Sequence, residues 1–136
     1  MNTEQVDAFR ASLKRCLSTP DFLRTFYDLF MGFSEEIRVK FRQTDFTRQT
    51  RVLADSLYAM AVVGQGERDS PAWAEIERLG RQHGRGQLDI RPELYDVWLD
   101  CLVKAARQYD SEFTPQLEQA WRETLRAGID HMRSLY

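Results

Sequence analysis

The sequence predicts an all-α fold, and three observations carry that prediction. Only seven glycines and four prolines punctuate the chain, and none of the Asn-Gly, Asp-Gly or Gly-Gly pairs that open tight hairpins is present. Apolar residues recur at spacings of three and four through every long segment, the period of a helix face. Between those segments stand helix-opening pairs, Ser70-Pro71 and Thr114-Pro115 among them. No repeat, low-complexity tract or linker interrupts the pattern. Residues 1–136 therefore read as one domain, long enough to bury a core without disulfides or metal.

The first helix is expected from Thr3 to Leu17, with Val6, Phe9 and Leu13 on one face. Ser18-Thr19-Pro20 stops it and opens the second, with the proline in the first turn. That second helix, about Pro20 to Phe33, is dense in rings: Phe22, Phe26, Tyr27, Phe30 and Phe33. A short third element, Glu35 to Phe41, runs into a polar corner at Gln43, Thr44 and Asp45. The fourth helix spans about Phe46 to Val63, with an inner stripe of Gln49, Leu53, Leu57 and Met60. Gly64, Gly66, Asp69 and Ser70 form a loop, and Ser70-Pro71 caps a short fifth helix. Its stripe is Trp73, Ile76, Leu79 and His83, read as one face. After a break at Gly84, Gly86 and Asp89, Pro92 begins a long helix to about Tyr109 with Tyr95, Trp98, Leu102 and Ala105 inward. Thr114-Pro115 opens the last helix, whose face carries Leu117, Trp121, Leu125, Gly128, Met132 and Leu135.

Composition removes several classes of function. Hydrophobic residues are 43% and charged residues 29%, as in an ordinary globular domain rather than a disordered one. A net charge of −2 gives no positive field for nucleic acid, although Arg78, Arg81 and Arg85 cluster locally. No run of ~18 apolar residues exists to span a membrane. The polar start, Met1 to Gln5, lacks the apolar centre of a signal peptide, so a cytoplasmic location is expected. Cys16 and Cys101 stand far apart among apolar residues, the setting of buried free thiols.

His83 is the residue that points to chemistry. An imidazole on an inward face needs a partner, and iron suits it, although a core hydrogen bond satisfies such a histidine equally well. Gln49 lies on an inner stripe and Tyr27 on the aromatic helix, so an apolar cavity with one strong ligand and two neutral hydrogen-bonding groups is expected. Such a set fits an iron porphyrin that binds a diatomic gas. His131, the only other histidine, is expected to face solvent.

At these residues the chain resembles the bacterial haemoglobins, including the globin part of flavohaemoglobins. The run FYDLFMGFSEEIRVKF, Phe26 to Phe41, is similar to that family's second and third helices. Gln49 to Leu53 matches its Gln-x-x-x-Leu pattern, and IRPELYDVW, Ile90 to Trp98, resembles the segment after the proximal histidine. AWRETL, Ala120 to Leu125, matches the core face of the closing helix. The resemblance covers about residues 4 to 136. It implies a three-over-three globin fold around a non-covalent haem b, since no Cys-x-x-Cys-His motif attaches a haem c.

Carried onto this chain, the resemblance makes His83 the proximal iron ligand and Phe41 the ring packed on the porphyrin. Tyr27, Gln49 and Leu53 line the distal side, and Tyr95 and Trp98 the proximal side. The function implied is reversible binding of O2, with NO and CO as further ligands, by a monomer or homodimer. The alternatives are NO dioxygenation with a separate reductase, or gas sensing. Against flavohaemoglobins the chain has two residues fewer between Phe41 and Gln49 and two more between His83 and Tyr95. It has Asp130, Met132 and Leu135 where they place a glutamate against the proximal histidine, and no reductase domain. An autonomous NO dioxygenase is therefore not the expected activity.

Overall fold

The computed structural model describes residues 3–136; Met1 and Asn2, at the head of the polar start, lie outside the described residues. These residues form α1 (Thr3–Leu17), α2 (Asp21–Phe33), α3 (Glu35–Lys40), α4 (Phe46–Gly64), α5 (Pro71–Gln82), α6 (Leu94–Tyr109) and α7 (Pro115–Ser134), with no strand among them. α1, α4 and α5 make one layer, and α2, α6 and α7 the other. α7 packs against all three helices of the opposite layer. None of the described helices is long and apolar enough to cross a membrane.

Four helices begin where a side chain takes up an orphan backbone N–H. Ser34 Oγ accepts from Ile37 N, Asp45 Oδ1 from Thr47 N and Arg48 N, Ser70 Oγ from Trp73 N, and Thr114 Oγ1 from Leu117 N. Each such cap contributes about 1 kcal/mol and fixes the start of its helix to the residue. Two starts differ from the sequence reading. Pro20 stands at the N-cap of α2 rather than inside its first turn. Pro92 lies ahead of α6, because Leu94, Tyr95 and Asp96 each donate to the carbonyl three residues back and form a tighter turn than an α-helix.

Gly64, expected in a loop, is the last residue of α4, and its place is decided by α7. A Cβ there would lie 2.6 Å from the Thr124 carbonyl oxygen, so only glycine lets the two backbones approach this closely. Further along the same crossing Gly128 is filled over by Met60.

The far end of the molecule is locked by a buried polar junction. Trp121 Nε1 donates to Ser12 Oγ at 2.9 Å, and Ser12 Oγ donates to Asp110 Oδ2 at 2.6 Å. Arg15 grips the same carboxylate through Nε and a terminal nitrogen, at 2.6 and 2.9 Å. The junction ties α1 to α7 and to the end of α6, with Phe9 edge-on to Trp121 at 4.8 Å between centroids. Cys16 and Cys101 are buried free thiols, as expected, and burial pushes the Cys16 thiol up to about 12.

Candidate functional site

A cavity of about 630 Å³ lies between α4 and α5, walled by α2, α3, α6 and the inner end of α7. Its volume falls within the ~300–1,000 Å³ usual for cofactor and small-molecule sites. Tyr27, Phe41, Gln49, Leu53, His83, Tyr95 and Trp98, the residues singled out from the sequence, all line it. The fold brings them together from five elements that are far apart in the chain.

His83 is not inside α5 but caps its C-terminus, with φ −81° and ψ −6° and its N–H on the Leu79 carbonyl at 2.9 Å. The chain then turns back on itself: Ile90 N donates to the His83 carbonyl at 2.8 Å and Leu88 N to the Gln82 carbonyl at 3.1 Å. Asp89 adopts a left-handed φ of 52° to make that turn. The imidazole is thus held by backbone on both sides. Its Nδ1 lies 3.4 Å from the Tyr95 hydroxyl. Burial, helped by the positive charge of Arg78, lowers its pKa to about 4, so the ring is neutral near pH 7. In the tautomer whose Nδ1–H donates to Tyr95, Nε2 carries a lone pair, which is the form a metal takes.

Across the cavity Tyr27 is 4% exposed and enclosed by rings. Phe26, Phe46 and Phe41 meet it edge-on at 4.9, 5.2 and 5.5 Å between centroids. These contacts fix the phenol in one orientation. Burial pushes its pKa up to about 12, while a hydrogen-bonding interaction with Gln49 pulls the other way. The hydroxyl is therefore a proton-bearing donor at any physiological pH, beside a neutral amide. Leu53 and the half-buried Phe41 and Trp98 complete an apolar wall.

Several lining residues escaped the sequence reading. Lys40, Arg48 and Arg78 bring positive charge to the cavity, where a search for apolar period cannot find them. On α4 the lining continues through Val52, Ser56 and Met60, whereas Leu57 is buried in the core instead. Phe46 supports Tyr27 from the first position of α4, and only its proximity to the Phe26-Tyr27 pair in space reveals it.

Two expectations are corrected. Trp73 does not share the cavity face with Ile76, Leu79 and His83. At ~100° per residue it stands about 60–120° from the other three, which cluster within about 60°. Its indole instead lines a second hollow of about 480 Å³ on the outer side, with His131, Arg68 and Arg126. His131 does not face solvent: its side chain is 19% exposed and stacks on Trp73 at 4.2 Å between centroids. Its Nε2 sits 3.5 Å from a Glu77 carboxylate oxygen. α5 and α7 pack too closely to leave that ring outside.

Among the described residues no group of three or more His, Cys, Asp or Glu is placed to hold a bare metal ion. A lone neutral imidazole in an apolar cavity suits instead a metal already held by a planar organic ring. The group that the fold implies therefore fits the residues present.

The Globin family model matches residues 25–132. A crystal structure from Pseudomonas aeruginosa PAO1, of the protein PA3967, described as structurally highly homologous to a human haemoglobin, is 36% identical in sequence. It superimposes with a TM-score of 0.90, over 97% of this chain and 98% of that one. No curated protein matches.

Proposed function

This chain belongs to the globin family, and on that premise we propose that it binds dioxygen reversibly, with NO and CO as further ligands, on a non-covalent haem b held through His83. Family and fold carry haem-based gas binding in general. The preference for dioxygen and the role of each residue are read from the cavity. When bound, the haem supplies a ferrous iron with one coordination position for the gas.

His83 would hold the iron through its neutral imidazole, and Tyr95, 3.4 Å from Nδ1, would set the tautomer by accepting from that nitrogen. That partner is a hydroxyl rather than a carboxylate, so it orients the ring while adding little negative charge. Phe41, Leu53 and Trp98 exclude water from the two faces of the cavity. Lys40 and Arg48 offer positive charge to acidic substituents of the ring. The Tyr27 hydroxyl would donate a hydrogen bond to a gas that carries partial negative charge, as bound dioxygen does and CO scarcely does. Gln49 either donates alongside it or orients the phenol.

The observation that carries this reading is the single cavity that faces a neutral His83 with the enclosed pair Tyr27 and Gln49. Dioxygen release from the reduced, haem-loaded protein tests it. Tyr27→Phe is expected to raise the off-rate about tenfold, the worth of one buried hydrogen bond, and to leave CO release nearly unchanged. Equal off-rates in Tyr27→Phe and the parent would show that the hydroxyl does not face the gas.

A further inference from the structure

One wall of the cavity is fastened differently from the rest. α3 makes its main helix contact with α2, and its outer side meets residues 84–91, the turn that follows His83. Two polar links close that seam. Lys40 Nζ donates to the Leu88 carbonyl at 3.1 Å, and both residues line the cavity. One turn away on α3, Glu36 receives Arg91 through two parallel bonds of 2.7 Å each. The links join residues 48 and 55 positions apart. Elsewhere the cavity is walled by α2, α4, α5 and α6, which pack on one another through buried apolar contacts, and by the corner at residues 41–45 that joins α3 to α4.

The seam is wet. Glu36 and Arg91 side chains are 38% and 48% exposed. Val39 and Leu88, which flank the links, are 45% and 51% exposed, so little apolar burial backs them up. The turn itself carries the left-handed Asp89, whose carboxylate is taken by the Tyr136 hydroxyl, while Arg85 lies over the Tyr136 ring at 4.7 Å. Residues 84–91 are thus anchored on the α7 side and through the His83 and Gln82 carbonyls. Their hold on α3 is electrostatic.

We propose that α3 and residues 84–91 form a gate into the cavity, latched by the Glu36–Arg91 pair and the Lys40–Leu88 bond. The gate opens by separation of these two segments and leaves the helical layers in place. It sets how fast the group inside is gained and lost; this second statement rests on the haem reading, whereas the gate itself does not. Salt weakens the latch, because an exposed pair is screened.

Amide hydrogen exchange of the full chain, without and with bound haemin, tests the gate. Glu36→Gln and Arg91→Gln are each expected to speed exchange of amides in α3 and in 84–91 together by about three- to fivefold, with α1 and α7 amides unchanged. Arg91 also holds Glu93 at 2.8 Å, so Glu93→Gln serves as the control and should leave α3 exchange unaltered. The exchanged pair, Glu36→Arg with Arg91→Glu, should restore the parent rates, and 1 M salt should speed the parent but not the single variants. Haemin transfer to an acceptor protein should accelerate by the same factor in both single variants.

The gate is overturned if the single variants leave exchange in the two segments unchanged. It is equally overturned if α3 responds without 84–91, or if the exchanged pair fails to restore them while the fold stays intact. If exchange behaves as expected and haemin is not retained, the haem reading fails and the gate stands.

Discussion

Two hollows flank α5, and each holds one of the two histidines. In the inner one His83 meets apolar walls, a tyrosine hydroxyl and the charge of Arg78, and the described residues bring no carboxylate against its ring. In the outer one His131 lies over Trp73, tilted by 31°, and 3.5 Å from Glu77. The first ring is kept neutral with a nitrogen to give. The second is used as a plate between α5 and α7, where its packing matters and its lone pair does not. On the proposed reading the same side chain serves as a ligand or a clasp according to what surrounds it, and the difference lies in a few neighbouring atoms.

The largest expected effect that separates the two is on haemin affinity. His83→Gly should weaken haemin binding at least about a hundredfold, as loss of a principal metal ligand does, with millimolar imidazole restoring much of it. His131→Gly should do neither. Comparable losses in both variants would break the distinction between ligand and clasp.

Next comes the α4–α7 crossing, which both hollows share, since Met60 lines the inner one and Val63 the outer. Gly64→Ala forces a Cβ against the Thr124 carbonyl, a backbone atom that cannot step aside. Overpacking of this kind costs about 1–3 kcal/mol, to be read as a lowered urea midpoint at unchanged slope. His131→Ala should cost about 1 kcal/mol, the worth of a ring contact, and lower Tm by about 3–4 °C. The spectrum of bound haem should stay as in the parent.

The last effect is a contribution present at neutral pH and lost in acid, and it lies outside both hollows. Asp110 is buried beside Arg15 and Ser12, and although burial opposes it, their hydrogen bonds hold its carboxyl below the usual carboxylate range. The folded state thus keeps its charge at pH values where the unfolded chain has already taken up a proton. The stability this contributes is present above the unfolded value, about 3.9, and is lost as pH falls through the folded one. Urea midpoints of the parent and Asp110→Asn should therefore differ at pH 7 and converge towards pH 3.

The comparison of the two hollows also shows what a sequence can tell. Helix ends capped by Ser34, Asp45, Ser70 and Thr114 are legible because capping is local chemistry, confined to three or four residues. That His83, Tyr27 and Gln49 share one cavity is legible because period and an ordered set of motifs bring them together. Trp73 reads as sharing the face of Ile76, Leu79 and His83 because steps of three residues carry an angular drift that a short stripe conceals. Pro92 reads as the start of α6 because a proline that opens a helix and one that opens a tight turn look alike until the carbonyl partners are known.

Other features have no local signal at all. Ser12 and Asp110 are 98 positions apart, and Arg91 and Glu36 are 55, so nothing in either neighbourhood announces the pair. Lys40, Arg48 and Arg78 read as ordinary surface charge and remain exposed, and only the folded chain shows that they stand at the rim of the cavity. Distance in the chain, rather than weakness of the interaction, is what hid these contacts.

The central claim is that His83 presents a neutral nitrogen to a haem in the inner hollow. Haemin titration of the full chain, followed by reduction and exposure to CO, tests it most directly. The account predicts one haemin per chain and a reversible CO-dependent shift of the visible bands, absent from His83→Ala. A chain that stays colourless, or a His83→Ala variant whose spectra match the parent's, would contradict it.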